Sequence, residues 1–305
     1  MATEVALAIG AHPDDIEFMM GGTLALLLQA GCETHYLNLA SGSCGSAVYS
    51  VARLRAMRRR EGQAAAKVLG AAFHESLVDD LEIYYERSTL RRLAAILREV
   101  NPGILLVPSP QDYMEDHTNT CRLAVSAAFV RGMRNFTTTP RRPPVDREVT
   151  LYHAMPQGLR DPLRRRVIPG AFVNTTRVQD LKRAALAEHK SQQHWLDTSQ
   201  KMNQYVQTME DFSAEVGRLS GRFKHAEGWR RHLHYGFCAE NADPLRETLG
   251  TRCLINRRYE AALDTGAWFP TFNTQRSTLN PCYAPSPKLH RPGLVGLHHL
   301  APRPH

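Results

Sequence analysis

The sequence predicts an α/β protein: a Rossmann-like, three-layer α/β/α arrangement on a mostly parallel sheet, with a C-terminal helical part and an irregular tail. Three observations predict it. Short apolar runs alternate with helical patterns through the first half, glycines close helices where the chain must turn back, and the chemistry-bearing residues collect where strands run into helices. Strands separated by one helix each pair in parallel through right-handed crossovers, with helices covering both faces.

The elements follow in chain order. EVALAIG (4–10) is an apolar strand run, and GGTLALLLQAG (21–31) is a helix pattern stopped by Gly31. CETHYLNLA (32–40) is the second strand, followed by the small-residue loop SGSCGS. An arginine-rich helix over 51–69 ends at Gly70 and leads to AFHESL, the third strand; STLRRLAAILREV (88–100) is a helix, and ILLVPS after Asn101-Pro102-Gly103 is the fourth strand. Then come a helix over 119–132, a Pro- and Arg-rich connector (140–148), a fifth strand VTLYHA, a further strand GAFVNTT, and helical sequence over 178–219. Residues 1–250 are thus expected to form one domain. Residues 251–305, rich in Pro and His and weakly periodic, are expected to be a poorly ordered extension.

Composition narrows the function. The 305 residues suffice for one sizeable core, and nowhere do enough apolar residues run together for a membrane span. The net charge of +8 is concentrated in runs at 53–61, 161–166 and 228–234. Such runs read as solvated helix faces and loops, and the first two lack the interleaved aromatics of a single-strand platform, so neither nucleic acid nor membrane is an expected partner. Six cysteines without a C-x-x-C pair, and a start without a basic signal region, place the chain in the reducing cytoplasm. A homo-oligomer is left open.

The chemistry sits in AHPDD. His12 and Asp15 lie three apart at the end of the first strand, on a turn stiffened by Pro13, so both can converge on one point. A catalytic metal takes three protein ligands and keeps one position open. In a 3-2-1-4 strand order the ends of the first and fourth strands lie side by side, at the crevice where ligands bind. After the fourth strand the chain reads PQDYMEDHTNT, which makes His117 the third candidate and leaves Asp14 as a carboxylate able to take a proton. Each motif alone also fits a turn or a helix cap; together they point to a metal.

A-H-P-D-D after the first strand, R-x-x-E at Arg58–Glu61, D-H after the fourth strand and KRAALAEHKSQ (182–192) resemble the LmbE/PIG-L family of zinc-dependent N-deacetylases over roughly residues 3–240. The resemblance implies an LmbE-like fold and a Zn2+ ion held by His12, Asp15 and His117, with Asp14 as general base. It also implies hydrolysis of the acetamide of an N-acetylglucosamine-like sugar or conjugate, with Arg58 near the substrate and Asp116 orienting the site. Members often carry a histidine where this chain has Met114, and Glu where it has Ser43. Tyr113, His153 and His189 are the candidate replacement donors, with His189 also a candidate catalytic residue; Asp80, beside Asp79, is a candidate for binding sugar hydroxyls. Competing readings are a non-haem iron oxygenase on the same ligand set, a Rossmann-like binding module, and a basic nucleic-acid binder.

Overall fold

Alternate residues of β1 (Val5–Gly10) face opposite sides of the sheet, and both sides are apolar: Ala6 and Ala8 join one buried cluster, Leu7 and Ile9 another. That is the signature of a strand covered by helices on both faces. The computed structural model describes residues 3–199 and 205–265. Its other strands are β2 (Glu33–Asn38), β3 (Ala72–His74), β4 (Ile104–Val107), β5 (Thr150–Ala154), β6 (Ala171–Asn174), β7 (Ala226–Arg231) and β8 (Cys253–Ile255). They form one sheet in the order β3-β2-β1-β4-β5-β7-β6-β8. The first five are mutually parallel, while β7 is antiparallel to β5 and β6, and β8 to β6.

The helices are α1 (Asp15–Met19), α2 (Gly21–Gln29), α3 (Val51–Leu69), α4 (Arg87–Val100), α5 (Glu115–Phe129), α6 (Gln179–Leu186), α7 (Lys190–Ser199), α8 (Tyr205–Ser220), α9 (Pro244–Leu249) and α10 (Arg257–Thr265). One face is covered by Leu24, Leu27, Ala65, Leu69 and Leu186 from α2, α3 and α6. The other is covered by Leu93, Leu97, Leu123 and Ala127 from α4 and α5. The order reverses at β1, whose neighbours are β2 and β4, and the carboxyl ends of β1 and β4 open together there.

Three expectations change. The basic run at 228–234 lies partly in β7, a strand wedged between β5 and β6 with Trp229 fully buried; its arginines reach out at the end of the strand, Arg230 to Gln111 Oε1 at 2.9 Å and Arg231 to the Ala242 carbonyl at 2.7 Å. The stretch after 250 contributes β8, which pairs with β6, and α10, so the compact unit runs to Thr265; residues 266–305 of the expected extension lie outside the described residues. The third strand is three residues long: of AFHESL, only Ala72–His74 pair with β2.

Candidate metal centre

Gly10 ends β1 where a Cβ would come within 2.3 Å of Asn38 Oδ1 and 3.2 Å of Asp15 Cβ, so a residue without a side chain lets α1 close on the strand end. The turn passes through Asp14 at φ 118, a left-handed conformation for a non-glycine residue. It brings Asp15 Oδ2 to accept from the amides of Ala11 (3.0 Å) and His12 (2.8 Å). Since β4 runs parallel beside β1, His117 on the first turn of α5 arrives at the same rim. One donor atom each from His12, Asp15 and His117 lie within 4.8 Å of one another. Asp15 Oδ2 is 3.4 Å from His117 Nε2 and 3.7 Å from His12 Nδ1.

Two more carboxylates fix the rings. Asp116 Oδ2 sits 3.0 Å from His12 Nε2 and accepts from the Leu81 amide at 2.8 Å; Asp112 Oδ1 sits 3.0 Å from His117 Nδ1. Each pairing holds one ring nitrogen and turns the other toward Asp15, as carboxylate–histidine–metal arrangements require. Burial alone would lower His12, but Asp116 and Asp15 raise it to about 10; burial also disfavours charge on His117, and Asp15 and Asp112 outweigh it. Although burial would raise the Asp15 carboxyl, His117 and His12 hold it well below the usual range. Carboxylates that outnumber the imidazoles and draw protons onto them make a site that a divalent cation fits.

Asp14, 8% exposed, accepts a 2.5 Å hydrogen bond from the Tyr205 hydroxyl, with Arg58 Nη2 at 3.7 Å. Burial pushes its carboxyl up, against the opposing pull of Arg58. Buried Arg58 donates to the Pro13 carbonyl and pairs with Glu61 at 3.4 Å, bracing the turn after β1 from behind. Gly42, at φ +75, lies over it; a Cβ there would meet Arg58 Nε at 2.6 Å.

The cavity above these residues has a volume of about 510 Å³. Of the expected residues, His12, Asp14, Asp15, Arg58, Asp80, Tyr113 and His117 line it. Asp80 lines the wall, and its two oxygens accept from the Gly42 (2.7 Å) and Cys44 (2.9 Å) amides, which shapes the loop after β2. His189 is set behind Arg58, fully buried, with Nδ1 3.5 Å from Arg58 Nη1 and Nε2 3.3 Å from Glu17 Oε1; it supports Arg58 and is not among the lining residues described. His153 is committed to His232 at 2.9 Å and the Pro108 carbonyl. Asp116 stands directly behind His12, while Tyr113 packs edge-on to His117 at the mouth, with ring centroids 5.8 Å apart. Sequence reasoning missed Asp112 and Tyr205. Asp112 had a local signal, an acid five residues before His117; Tyr205 had none.

The sequence model of the PIG-L family, described as GlcNAc-PI de-N-acetylase, matches residues 7–128, which contain the whole ligand set. Diacetylchitobiose deacetylase of Thermococcus kodakarensis is 28% identical over 234 residues, 73% of this chain and 81% of that protein. The 4-oxalmesaconate hydratase of Pseudomonas putida is 29% identical over 200 residues, 62% of this chain and 74% of that protein. Among solved structures, N,N'-diacetylchitobiose deacetylase of Pyrococcus horikoshii superposes with a TM-score of 0.64 at 25% identity, covering 79% of this chain and 88% of that one. Over residues 7–128, from β1 to α5, the chain is thus similar to the PIG-L, or LmbE-like, family, and its mostly parallel sheet matches the fold of the diacetylchitobiose deacetylase.

Proposed function

We propose that this protein is a cytoplasmic, zinc-dependent N-deacetylase that hydrolyses the acetamide of an N-acetylglucosamine-like sugar or sugar conjugate. The observation that carries the reading is the convergence of His12, Asp15 and His117 within 4.8 Å, with a buried fourth carboxylate, Asp14, on the same turn. Two imidazoles and one carboxylate are a zinc set with a position to spare, and zinc bound there supplies Lewis acidity and a water of lowered pKa.

The chain's own residues do the rest. Asp14, its proton affinity raised by burial, takes a proton from the attacking water and returns it to the departing amine, so that amide and water become acetate and a free amine. Arg58 and Tyr205 hold Asp14 in place. Asp116 and Asp112 fix the faces of His12 and His117. Met114 lines the cavity but has no hydrogen to donate, whereas Tyr113, packed edge-on to the His117 ring, has a hydroxyl hydrogen to offer the developing oxyanion.

The hydratase relative provides a second reading. Its substrate, by name, is a carboxylic acid, and a site for a polyanion wants unpaired cations. Among the described lining residues Arg58 is the one guanidinium, and it is already held by Asp14, Glu61 and the Pro13 carbonyl. An uncharged amide suits such a wall better. The test is to incubate zinc-loaded protein with N-acetylglucosamine, N,N'-diacetylchitobiose and 4-oxalmesaconate. Acetate release from a sugar, abolished by chelation and restored by zinc, is expected; hydration of 4-oxalmesaconate with no acetate from any amide would replace this reading.

A further inference from the structure

On the rim of the sheet opposite the metal centre the chain builds a second cavity, of about 380 Å³, whose described lining carries four arginines and no acid. Arg98 comes from the last turn of α4, Arg134 from the turns after α5, and Arg141 and Arg142 from the connector that leads to β5. α5 separates the two sites, with His117 in its first turn; its 15 residues span about 22 Å, too far for one small ligand to reach both.

The wall is held in shape from within. Arg98, 6% exposed, donates to the carbonyls of Val130, Arg131, Met133 and Arg142 at 2.8 to 3.1 Å, and so ties the end of α5 to the connector. Thr138 Oγ1 donates to the Pro140 carbonyl and accepts from the Arg142 amide, both at 2.8 Å, fixing the loop that presents Arg141. Carbonyls at a helix end satisfy the hydrogens of Arg98 but offset only part of its charge.

Elsewhere, arginines such as Arg55, Arg59, Arg147, Arg166 and Arg183 are paired with acids. Among the described residues, only Arg142 of the cavity's four has such a partner: its Nη2 lies 2.7 Å from Glu99 Oε2, while its Nε is buried without one. Arg134 and Arg141 are exposed. Like charges crowded on one wall repel, and a bound anion relieves that repulsion. Guanidinium forks match phosphate oxygens two at a time, and a cavity of this volume has room for an organic group as well. Phe136, Pro143 and Pro144 supply an apolar side for it.

We propose that this cavity binds a nucleoside diphosphate, with its phosphates against Arg134, Arg141 and Arg142 and its base against Phe136. The site does not depend on the chemistry at the metal centre. The experiment titrates the metal-loaded full chain with ADP, adenosine, pyrophosphate and a short single-stranded oligonucleotide, reading heat and melting temperature together. It is repeated on the double variant Arg134→Gln, Arg141→Gln and on His117→Ala. Both arginines are exposed, so the double variant should melt, without ligand, where the wild type does.

ADP should bind, adenosine should not, and pyrophosphate should bind at least about tenfold more weakly than ADP. Loss of both guanidinium groups should weaken ADP about a hundredfold, roughly tenfold for each charge-assisted bond removed, whereas His117→Ala should keep the affinity within about twofold. Neither heat nor a rise in melting temperature with ADP, or an affinity that survives the double variant, overturns the site. Loss of ADP binding in folded His117→Ala would put the phosphate on the metal and overturn it too. Adenosine or pyrophosphate as tight as ADP overturns the nucleotide as ligand. An oligonucleotide held tighter than ADP by the same arginines makes this face a nucleic-acid surface instead.

Discussion

In the parallel half of the sheet, β3-β2-β1-β4-β5, the three candidate ligands His12, Asp15 and His117 sit in the turn after β1 and the segment after β4. In the antiparallel half, β7 and β6 with α6 and α8, charge is buried for a different purpose. Lys182 Nζ on α6 lies 2.8 Å from Glu227 Oε1 on β7 and donates to Ser213 on α8, and all three are buried. Glu227 in turn accepts from the Gly22 (2.8 Å) and Thr23 (2.7 Å) amides, capping the amino end of α2, and Trp229 Nε1 donates to Thr23 Oγ1. Acids in the first half are left needing a cation from outside, while the acid in the second is satisfied from within the chain. The comparison teaches that one half carries the candidate centre and the other a charge cluster satisfied within the chain, so substitutions should separate the two.

The largest effects belong to the first half. His117→Ala should remove the metal and the stabilisation it provides, lowering turnover roughly ten-thousandfold. Asp14→Asn should keep stoichiometric zinc and lose about a thousandfold, as expected for a proton-transferring group. Elemental analysis alongside acetate release distinguishes them, and loss of zinc from the Asp14 variant would contradict the division of roles.

Lys182→Met tests the second half. It leaves Glu227 charged and buried, and breaking such a pair costs about 3–5 kcal/mol. Denaturant unfolding should show that loss, the double change Lys182→Met, Glu227→Gln should recover part of it, and turnover per folded molecule should stay within about twofold. A fall in turnover without a fall in stability would mean that Lys182 belongs to the chemistry.

The same division explains what could be read from the sequence. The parallel half is built from neighbouring segments, so the apolar runs, the glycine stops and the 3-2-1-4 order were all legible, and with them the meeting of His12 and His117. β7 was not. AEGWRR looks like a charged surface run because Glu227 becomes tolerable inside only through Lys182, forty-five residues earlier, and Gly228 is required by side chains of Met155 and Pro169 that press against it. His189 was legible as part of a motif but not as a support, since its position behind Arg58 depends on where α6 lands. The partners of Asp80 were not legible, because the amides of the 42–44 loop are backbone groups that leave no mark in sequence.

His153, in β5 beside the junction of the halves, gives a smaller effect. Burial, with His232 beside it, holds its pKa down to about 3, so the folded protein keeps the ring neutral where the unfolded chain, titrating at about 6.5, takes up a proton. The unfolded state therefore binds more protons below that point. This contribution to stability is complete above pH 6.5 and declines by about 1.4 kcal/mol per pH unit as the pH drops toward 3. His153→Gln should flatten that part of the pH–stability curve, whatever its offset; an unchanged slope would show that the ring is charged in the fold.

The finest test lies where the halves touch. Tyr205, at the start of α8, is the described residue of the second half that hydrogen-bonds to the proposed base, donating to Asp14 Oδ2 at 2.5 Å. That bond favours the ionised carboxylate and so works against the burial that raises its pKa. Tyr205→Phe keeps the ring and its packing on Phe18, 5.3 Å away, and removes only the donor. One hydrogen bond to a charged group is worth about 1.5–3 kcal/mol, and water entering the space left by the hydroxyl offsets part of it, so kcat should fall about tenfold with zinc content unchanged. Without the donor the carboxylate holds its proton to higher pH, and the acid limb of the kcat/KM profile should move upward. A drop in kcat with the acid limb unmoved would make Tyr205 a packing residue, and the second half would then reach the chemistry only through the backbone it holds in place.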